Sequence, residues 1–314
     1  MIRILWILIY NNQYNKYIAN YAIKRGRDMA FTFHKYHGLG NDYLVFDESK
    51  NSKKITIDEI KKVCNRNFGF GSDGILVGPI TKGDKISMKI YNPDGTEAEK
   101  SGNGVRIFAK YLKDNGYIKD NEFMLNTLGG DVYVRFNNKR GTNMTVSMGK
   151  LSFDREEIGC INTPQETVDI PMVFNNKEYK ATCVTLGNPH CIIPLEEINK
   201  ELACEIGKHS VEAEYFPNKI NTQIIKVVDR HNINIEIYER GAGYTLASGS
   251  SSCAAAGAAY KLGLVENEVN VHMPGGTLEI KIDEDWNVFM TGSVQYIGEM
   301  VLFDGFFVDD LEEE

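Results

Sequence analysis

Two short runs in this chain join a hydroxyl to an open helix start: Ser101-Gly102-Asn103-Gly104 and Ser248-Gly249-Ser250-Ser251. After the first, Val105, Phe108, Ala109 and Leu112 recur at helical spacing, and Gly116 lies where a C′ glycine ends a helix. After the second, Cys253 to Leu262 is almost all Ala, Gly and Cys, the pattern of a helix buried on every side. A helix N-terminus carries unpaired N–H groups and a partial positive charge, and it holds carboxylates. Two such termini facing each other would seat the α-carboxylate of a small amino acid and leave its Cα between two side chains. One side chain would take a proton from one face while the other gives one to the opposite face. That inverts a stereocentre without a cofactor. Serine is also a favoured N-cap, which accounts for either serine taken singly. Their matched placement before uncharged, Gly-rich starts favours a site.

The match extends along the chain. Leu39-Gly40-Asn41 recurs as Leu186-Gly187-Asn188, 147 residues on. The same offset carries Ile90-Tyr91 onto Ile237-Tyr238, Ser101-Gly102 onto Ser248-Gly249, and Gly116 onto Gly263. Gly129-Gly130 meets Gly275-Gly276 with a shift of one residue. A repeat of this length predicts two copies of one domain, with a ligand cleft between them. The expected division is 29–148 and 149–294, with 295–314 offered as a return to the first domain.

Alternating apolar residues predict strands at Phe31 to Asp47 (broken by a loop at His37 to Asn41), Lys85 to Tyr91, Val132 to Phe136, Thr145 to Met148 and Asn232 to Tyr238. Ile57 to Asn67 has helical spacing. Each domain is therefore expected to wrap strands around one central helix. Asn41, Asn92, Asn188 and Asn221 fall at turns or strand ends, where asparagine is an ordinary turn residue. Asn41 and Asn188 are duplicates, which raises both as candidates. Glu239 and Arg240 end a strand before Gly241, and His190 follows Asn188-Pro189 into an apolar strand. Gly69-Phe70-Gly71-Ser72-Asp73-Gly74 fits G-x-G-x-x-G, but it follows a helix and leads into a strand, the reverse of a dinucleotide fingerprint.

Composition narrows the class. Lys and Arg number 35 against 43 Asp and Glu, so the net charge of −8 disfavours a non-specific grip on nucleic acid or an anionic membrane. The six cysteines form no C-x-x-C pair and no cysteine–histidine spacing suited to zinc, and they read as buried, reduced thiols. Residues 1–28 differ from the rest: the apolar run Ile4 to Tyr10 is too short to span a bilayer, and a basic, Asn- and Tyr-rich stretch follows. They are expected to be a non-structural extension, with Met29 as the working start.

The segments HKYHGLGNDYLVFD, FGFGSDGILV, YNPDGTEAEKSGNGVR, LGNPH, YERGAGYTLASGSSSCAAA and MPGGTLEI together resemble the diaminopimelate epimerase family over residues 31 to 303. The resemblance implies an α/β (α+β) fold of two pseudo-symmetric domains, each a β-barrel-like sheet around a central helix, with the active site in the interdomain cleft. It implies a cytoplasmic homodimer that interconverts LL- and meso-diaminopimelate without pyridoxal phosphate or metal. The family's two acid/base cysteines align with Ser101 and Ser248. Its substrate-contacting residues align with Asn41, Asn92, Gly102, Asn103, Asn188, Asn221, Glu239, Arg240, Gly249 and Ser250, and His190 and Glu239 match positions that tune the catalytic pair. Serine in place of cysteine departs from the family, because a hydroxyl is a far weaker acid than a thiol. Two further readings remain: a related racemase or isomerase of another amino acid, such as a histidine or proline analogue, and an amino-acid-binding protein that has lost the chemistry.

Overall fold

A computed structural model of the chain describes residues 29–99 and 101–307. The expected extension 1–28 lies outside the described residues, as does 308–314 of the segment 295–314. The first half runs β1 (Met29–Gly38), β2 (Asn41–Phe46), α1 (Ile57–Cys64), β3 (Ile75–Lys82), β4 (Lys85–Tyr91), β5 (Glu97–Ala98), α2 (Gly102–Asp114), β6 (Glu122–Thr127), β7 (Gly130–Phe136) and β8 (Asn143–Lys150). The second runs α3 (Arg155–Ile158), β9 (Ile170–Phe174), β10 (Lys177–Thr185), β11 (Pro189–Pro194), α4 (Lys200–Val211), β12 (Asn221–Asp229), β13 (Asn232–Glu239), β14 (Gly243–Thr245), α5 (Gly249–Lys261), β15 (Glu268–Met273), β16 (Gly276–Ile282) and β17 (Asn287–Ser293). A last strand, β18 (Gln295–Phe303), pairs antiparallel with β1.

The pairing pattern is the same in both halves, down to the register. The parallel pair β2–β3 aligns Leu44 with Ile75, and β11–β12 aligns Cys191 with Thr222, each 147 residues on. Ile90 faces Ala98 between β4 and β5, as Ile237 faces Thr245 between β13 and β14. After the central helices the offset drops by one: Thr127–Gly130 closes β6–β7 where Met273–Gly276 closes β15–β16. One sheet runs into the other through the antiparallel pair β8–β17.

Each central helix is enclosed. Every residue of α2 from Gly102 to Leu112 is buried, and α5 is buried from Ser251 to Ala259. Their apolar faces share one core with the inner faces of both sheets, including Val134, Val146, Ile235, Ile280 and Met290. Small side chains on α5 let the sheet approach closely. The outer face of each sheet is covered separately. Ile60 and Val63 of α1 pack with Phe33, Leu44 and Ile75, while Ala203 and Ile206 of α4 pack with Cys191, Ile193 and Ile224.

Two local features differ from the sequence expectation. The loop between β1 and β2 shrinks to Leu39-Gly40, both at positive φ (56° and 87°). Leucine is unusual there, and packing explains it: a Cβ added at Gly276 would come within 2.8 Å of Leu39 Cδ2, so this turn is seated on the opposite half. Helix α1 stops at Cys64, three residues before the expected Asn67. The Asn65 side chain accepts hydrogen bonds from the N–H groups of Asn67 and Phe68 (2.9 Å each) and turns the chain away. The Gly69 to Gly74 run that follows is this return to β3. A Cβ at Gly69 would stand 2.6 Å from Val63 O, so the glycine serves a tight turn.

Gly207 shows how closely α4 sits on its sheet, since a Cβ there would fall 2.2 Å from Tyr238 Cγ. Alanine improves helix propensity by about 1 kcal/mol, but overpacking of this kind costs about 1–3 kcal/mol. The clash involves the rigid base of the tyrosine side chain and should prevail. Gly207→Ala is expected to lower unfolding stability in urea titrations, whereas a gain in midpoint would show that α4 can move off β13.

Candidate active site

The two central helices meet at their N-termini. A Cβ built on Gly249 would stand 3.7 Å from Gly102 Cα. Met290 lies against both: its Cε would be 2.8 Å from a Cβ on Gly102, and its Sδ 3.0 Å from a Cβ on Gly249. Met148 Cε closes the other side of Gly102 at 2.9 Å. A side chain at the first position of either helix would have to displace the ends of Met148 or Met290, so glycine lets these methionines close over the contact.

Ser101 and Ser248 are the N-caps. Ser101 Oγ accepts from Gly104 N–H (3.0 Å), and Ser248 Oγ accepts from Ser251 N–H (3.5 Å). A capping hydroxyl keeps its own proton free to donate. The two protons have different neighbours. The Ser248 hydroxyl lies on the side of the Glu239 carboxylate, close enough to act on its charge. Burial raises the pKa of that carboxyl, the Ser248 contact opposes the shift, and the negative charge of Asp73 adds to it. Ser101 Oγ instead lies 3.4 Å from the phenol oxygen of Tyr43.

Behind Ser101 runs a chain of amides. Asn103 Nδ2–H donates to Asn41 Oδ1 (3.0 Å), and Asn41 Nδ2–H donates to Asp73 Oδ2 (2.7 Å). The Arg106 guanidinium donates to Asn103 Oδ1 at 2.5 Å, which fixes the orientation of that amide. Arg106 is fully buried, and its Nε and Nη1 have no hydrogen-bond partner among the described residues. Burial pulls its pKa down to about 10. Glycines make room for it: a Cβ at Gly292 would come within 2.9 Å of Nη1, and one at Gly38 within 3.2 Å of Nη2.

The second half has its own chain. Asn188 Nδ2–H donates to Ser250 Oγ (3.3 Å). Asn221 Nδ2–H donates to Pro189 O (3.1 Å), and its Oδ1 accepts from Arg240 N–H (3.0 Å), so one side chain ties β11, β12 and the end of β13 together. Arg240 Nη1–H reaches Asn218 O at 3.1 Å and leaves most of the side chain exposed. His190 is fully buried. Its Nδ1 pairs with Gln223 Oε1 (3.1 Å), while Gln223 Nε2–H donates to Ser251 Oγ (3.1 Å). That arrangement makes Nδ1 the protonated nitrogen and leaves Nε2, which has no partner among the described residues, as a lone pair.

Thus Ser101, Gly102, Asn103, Asn41, Ser248, Gly249, Ser250, Asn188, Glu239 and, one layer back, His190 gather around the helix starts. Asn221 and Arg240 lie at the adjoining strand ends. Asn92 is placed differently: its Nδ2–H donates to Thr96 Oγ1 (3.0 Å) inside its own turn. Tyr43, Asp73, Arg106 and Gln223 were missed from sequence. Tyr43 had a signal, since it lies two residues after Asn41 on the same face of a strand and 147 residues before His190. Two surface cavities, of about 160 and 350 Å³, are lined by Asp84 to Ile86 with Phe123, and by Leu151 to Asp154 with Trp286, and touch none of these residues.

His190 ties this site to stability. Burial lowers its pKa to about 4, with the charge of Arg240 acting in the same direction and the Gln223 bond against it. The unfolded chain takes up the proton near pH 6.5, so it binds more protons than the folded chain between pH 6.5 and 4. Stability is full above pH 6.5 and falls as the pH drops through that window, by up to about 3 kcal/mol. His190→Asn should flatten this part of a urea-stability profile. An unchanged slope would mean that His190 is protonated in the fold.

The family model for diaminopimelate epimerase matches residues 33–153 and 182–297. Diaminopimelate epimerase 2 of a Nostoc species is 46% identical over 269 residues, covering 85% of this chain and 94% of that protein. The diaminopimelate epimerase of Moorella thermoacetica is 34% identical over 264 residues, covering 83% and 95%. Among solved structures, a hydroxyproline epimerase from Agrobacterium vitis with bound trans-4-hydroxy-L-proline superposes with TM-score 0.64 at 12% identity, over 87% of this chain and 92% of that one. A methylitaconate-delta-isomerase gives 0.61 at 11% identity, over 92% and 99%. These two establish the shared fold of pseudo-symmetric domains, while the sequence matches are far stronger: the chain belongs to the diaminopimelate epimerase family.

Proposed function

We propose that this chain is an isomerase that interconverts LL- and meso-2,6-diaminopimelate, a step of lysine synthesis, by moving a proton between the two faces of one Cα. The carrying observation is the contact of two Ser-Gly helix starts in a member of this family. The N–H groups of both helices would grip the α-carboxylate, where each helix end contributes about 0.3–1 kcal/mol and up to ~2 when partly buried. Ser101 and Ser248 then flank Cα from opposite faces at the positions of the family's cysteines. Asn41, Asn92, Asn103, Asn188, Asn221, Glu239, Arg240 and Ser250 hold the rest of the substrate, with Arg240 and the amides suited to the far amino-acid head group. His190 and Glu239 tune the hydroxyl pair.

The division into domains 29–148 and 149–294, with the first completed by 295–314, belongs to the same proposal and is supported by the pairing of β18 with β1. So do cofactor independence, a homodimer and a cytoplasmic site of action, which rest on the family resemblance. Among the described residues no helix is long and apolar enough to cross a membrane. The acidic balance argues against nucleic acid as a partner.

A second reading, amino-acid binding without turnover, is favoured by one observation: both hydroxyls already satisfy a helix N–H as caps. Solvent deuterium appearing at Cα of diaminopimelate separates the two. Exchange is expected in the unaltered chain, and the double replacement Ser101→Cys/Ser248→Cys should speed it by about 100-fold or more, the range of a well-matched acid/base pair. Exchange in neither form, with tight binding by calorimetry, would support the binding protein. Neither exchange nor binding would remove diaminopimelate as the ligand.

A further inference from the structure

The duplication supplies a frame for comparing the two faces of the site. At the offset of 147, Ser101 corresponds to Ser248, Asn92 to Glu239, and Tyr43 to His190. The backbone around these pairs is equivalent, because β2–β3 and β11–β12 share their register. The side chains are not equivalent. The Ser248 face carries the Glu239 carboxylate and a neutral imidazole that offers a lone pair. The Ser101 face carries a phenol, and the counterpart of Glu239 is a neutral amide held within its own turn. One face can accept a proton, and the other can give one.

Resting on the epimerase reading above, we propose that Tyr43 is the proton reserve behind Ser101, so that Ser248 with Glu239 forms the accepting half of the site and Ser101 with Tyr43 the donating half. Tyr43 acts through Ser101 and is in that sense a positioning residue. Its ring is buried in the shared core, and Gly74 keeps space for it: a Cβ at Gly74 would come within 2.8 Å of Tyr43 Cε1 and 2.4 Å of Tyr91 O. Its oxygen lies 3.4 Å from Ser101 Oγ, longer than an ordinary O–H···O bond, as catalytic hydrogen bonds often are before substrate tightens them. Burial pushes its pKa up to about 12, against the Ser101 contact and reinforced by Asp73, Glu239 and Asp42, so the phenol holds its proton at neutral pH.

The steps balance. The Cα–H bond breaks as Ser248 Oγ takes that proton and passes its own to the Glu239 carboxylate. The electron pair left on Cα takes the Ser101 hydroxyl proton from the opposite face and forms the new C–H bond. Ser101 Oγ is reprotonated by Tyr43, so one negative charge has moved from Glu239 to the Tyr43 oxygen. A phenolate is a much more stable resting place for that charge than a serine alkoxide. Proton exchange with solvent restores both groups, and turnover in the opposite direction begins from the phenolate form. A cysteine at position 101 would have no need of the reserve, since its thiol gives up a proton unaided.

The test measures solvent deuterium incorporation into diaminopimelate, with calorimetry of diaminopimelate binding alongside. The chains compared are unaltered, Tyr43→Phe, Ser101→Cys and Ser101→Cys/Tyr43→Phe. Tyr43→Phe is expected to slow exchange by about 100-fold or more while leaving binding within about threefold. In the Ser101→Cys background the same replacement should cost at least about tenfold less, because the thiol replaces the relay. Equal losses in both backgrounds would make Tyr43 purely structural and overturn the proposal, as would a serine chain indifferent to Tyr43→Phe. Exchange confined to chains with cysteine would also overturn it, together with turnover by the unaltered chain, while leaving diaminopimelate as the ligand of the site. Failure of every chain to bind or exchange would remove the epimerase reading as well.

Discussion

Two helix N-termini press against each other at the centre of this molecule, and that contact is electrostatically unfavourable. Both ends carry partial positive charge, neither first turn contains an acidic residue, and the buried Arg106 guanidinium adds a full charge one turn into α2. What holds the ends together is apolar packing: glycine at the contact, Met148 and Met290 wedged beside it, and one core continuous through both halves. The result is a buried meeting of two positive helix ends, with the Glu239 and Asp73 carboxylates close by. A helix-end pair of this kind is a general anion site, so the proposed grip on an α-carboxylate would draw on the architecture more than on any one side chain.

The duplicated frame is filled unevenly. Strand pairing and helix placement repeat with a constant register, yet the residues lining the two copies have diverged into a carboxylate and imidazole on one side and a phenol and amide on the other. Equivalent backbones set Ser101 and Ser248 at matched helix starts. Unlike neighbours give the two hydroxyls different surroundings, a phenol beside Ser101 and a carboxylate toward Ser248. In a pair of identical acid/base groups the direction of transfer is set by which one holds the proton, and unlike neighbours bias that choice.

Much of this was legible in the sequence because duplication converts weak signals into strong ones. A single Ser-Gly before an apolar stretch is only a cap, but two of them 147 residues apart imply two copies and a cleft. The central helices stood out through Gly116 and the Ala-rich run after Cys253. Residues that depend on tertiary placement were harder to find. Asp73 reaches Asn41 across 32 positions of chain, and Gln223 reaches Ser251 across 28, and nothing local marks either contact. Arg106 reads as an ordinary exposed helix residue until the second half covers it. Leu39 at positive φ and the early end of α1 at Asn65 are likewise products of packing and side-chain hydrogen bonds, which periodicity does not record.

The pairing of β18 with β1 carries a consequence for biosynthesis. In the second half the corresponding strand, β9, pairs with β10 and is made immediately before it, so that sheet gathers its members in the order they are translated. The first half receives its equivalent strand only after every element of the second has been made. On the ribosome, then, the earlier-made sheet waits with an open edge along β1 while the later one closes, and the order of completion is the reverse of the order of synthesis. During that interval the exposed edge is the part of the nascent chain most open to pairing with another polypeptide, or to protection by a chaperone.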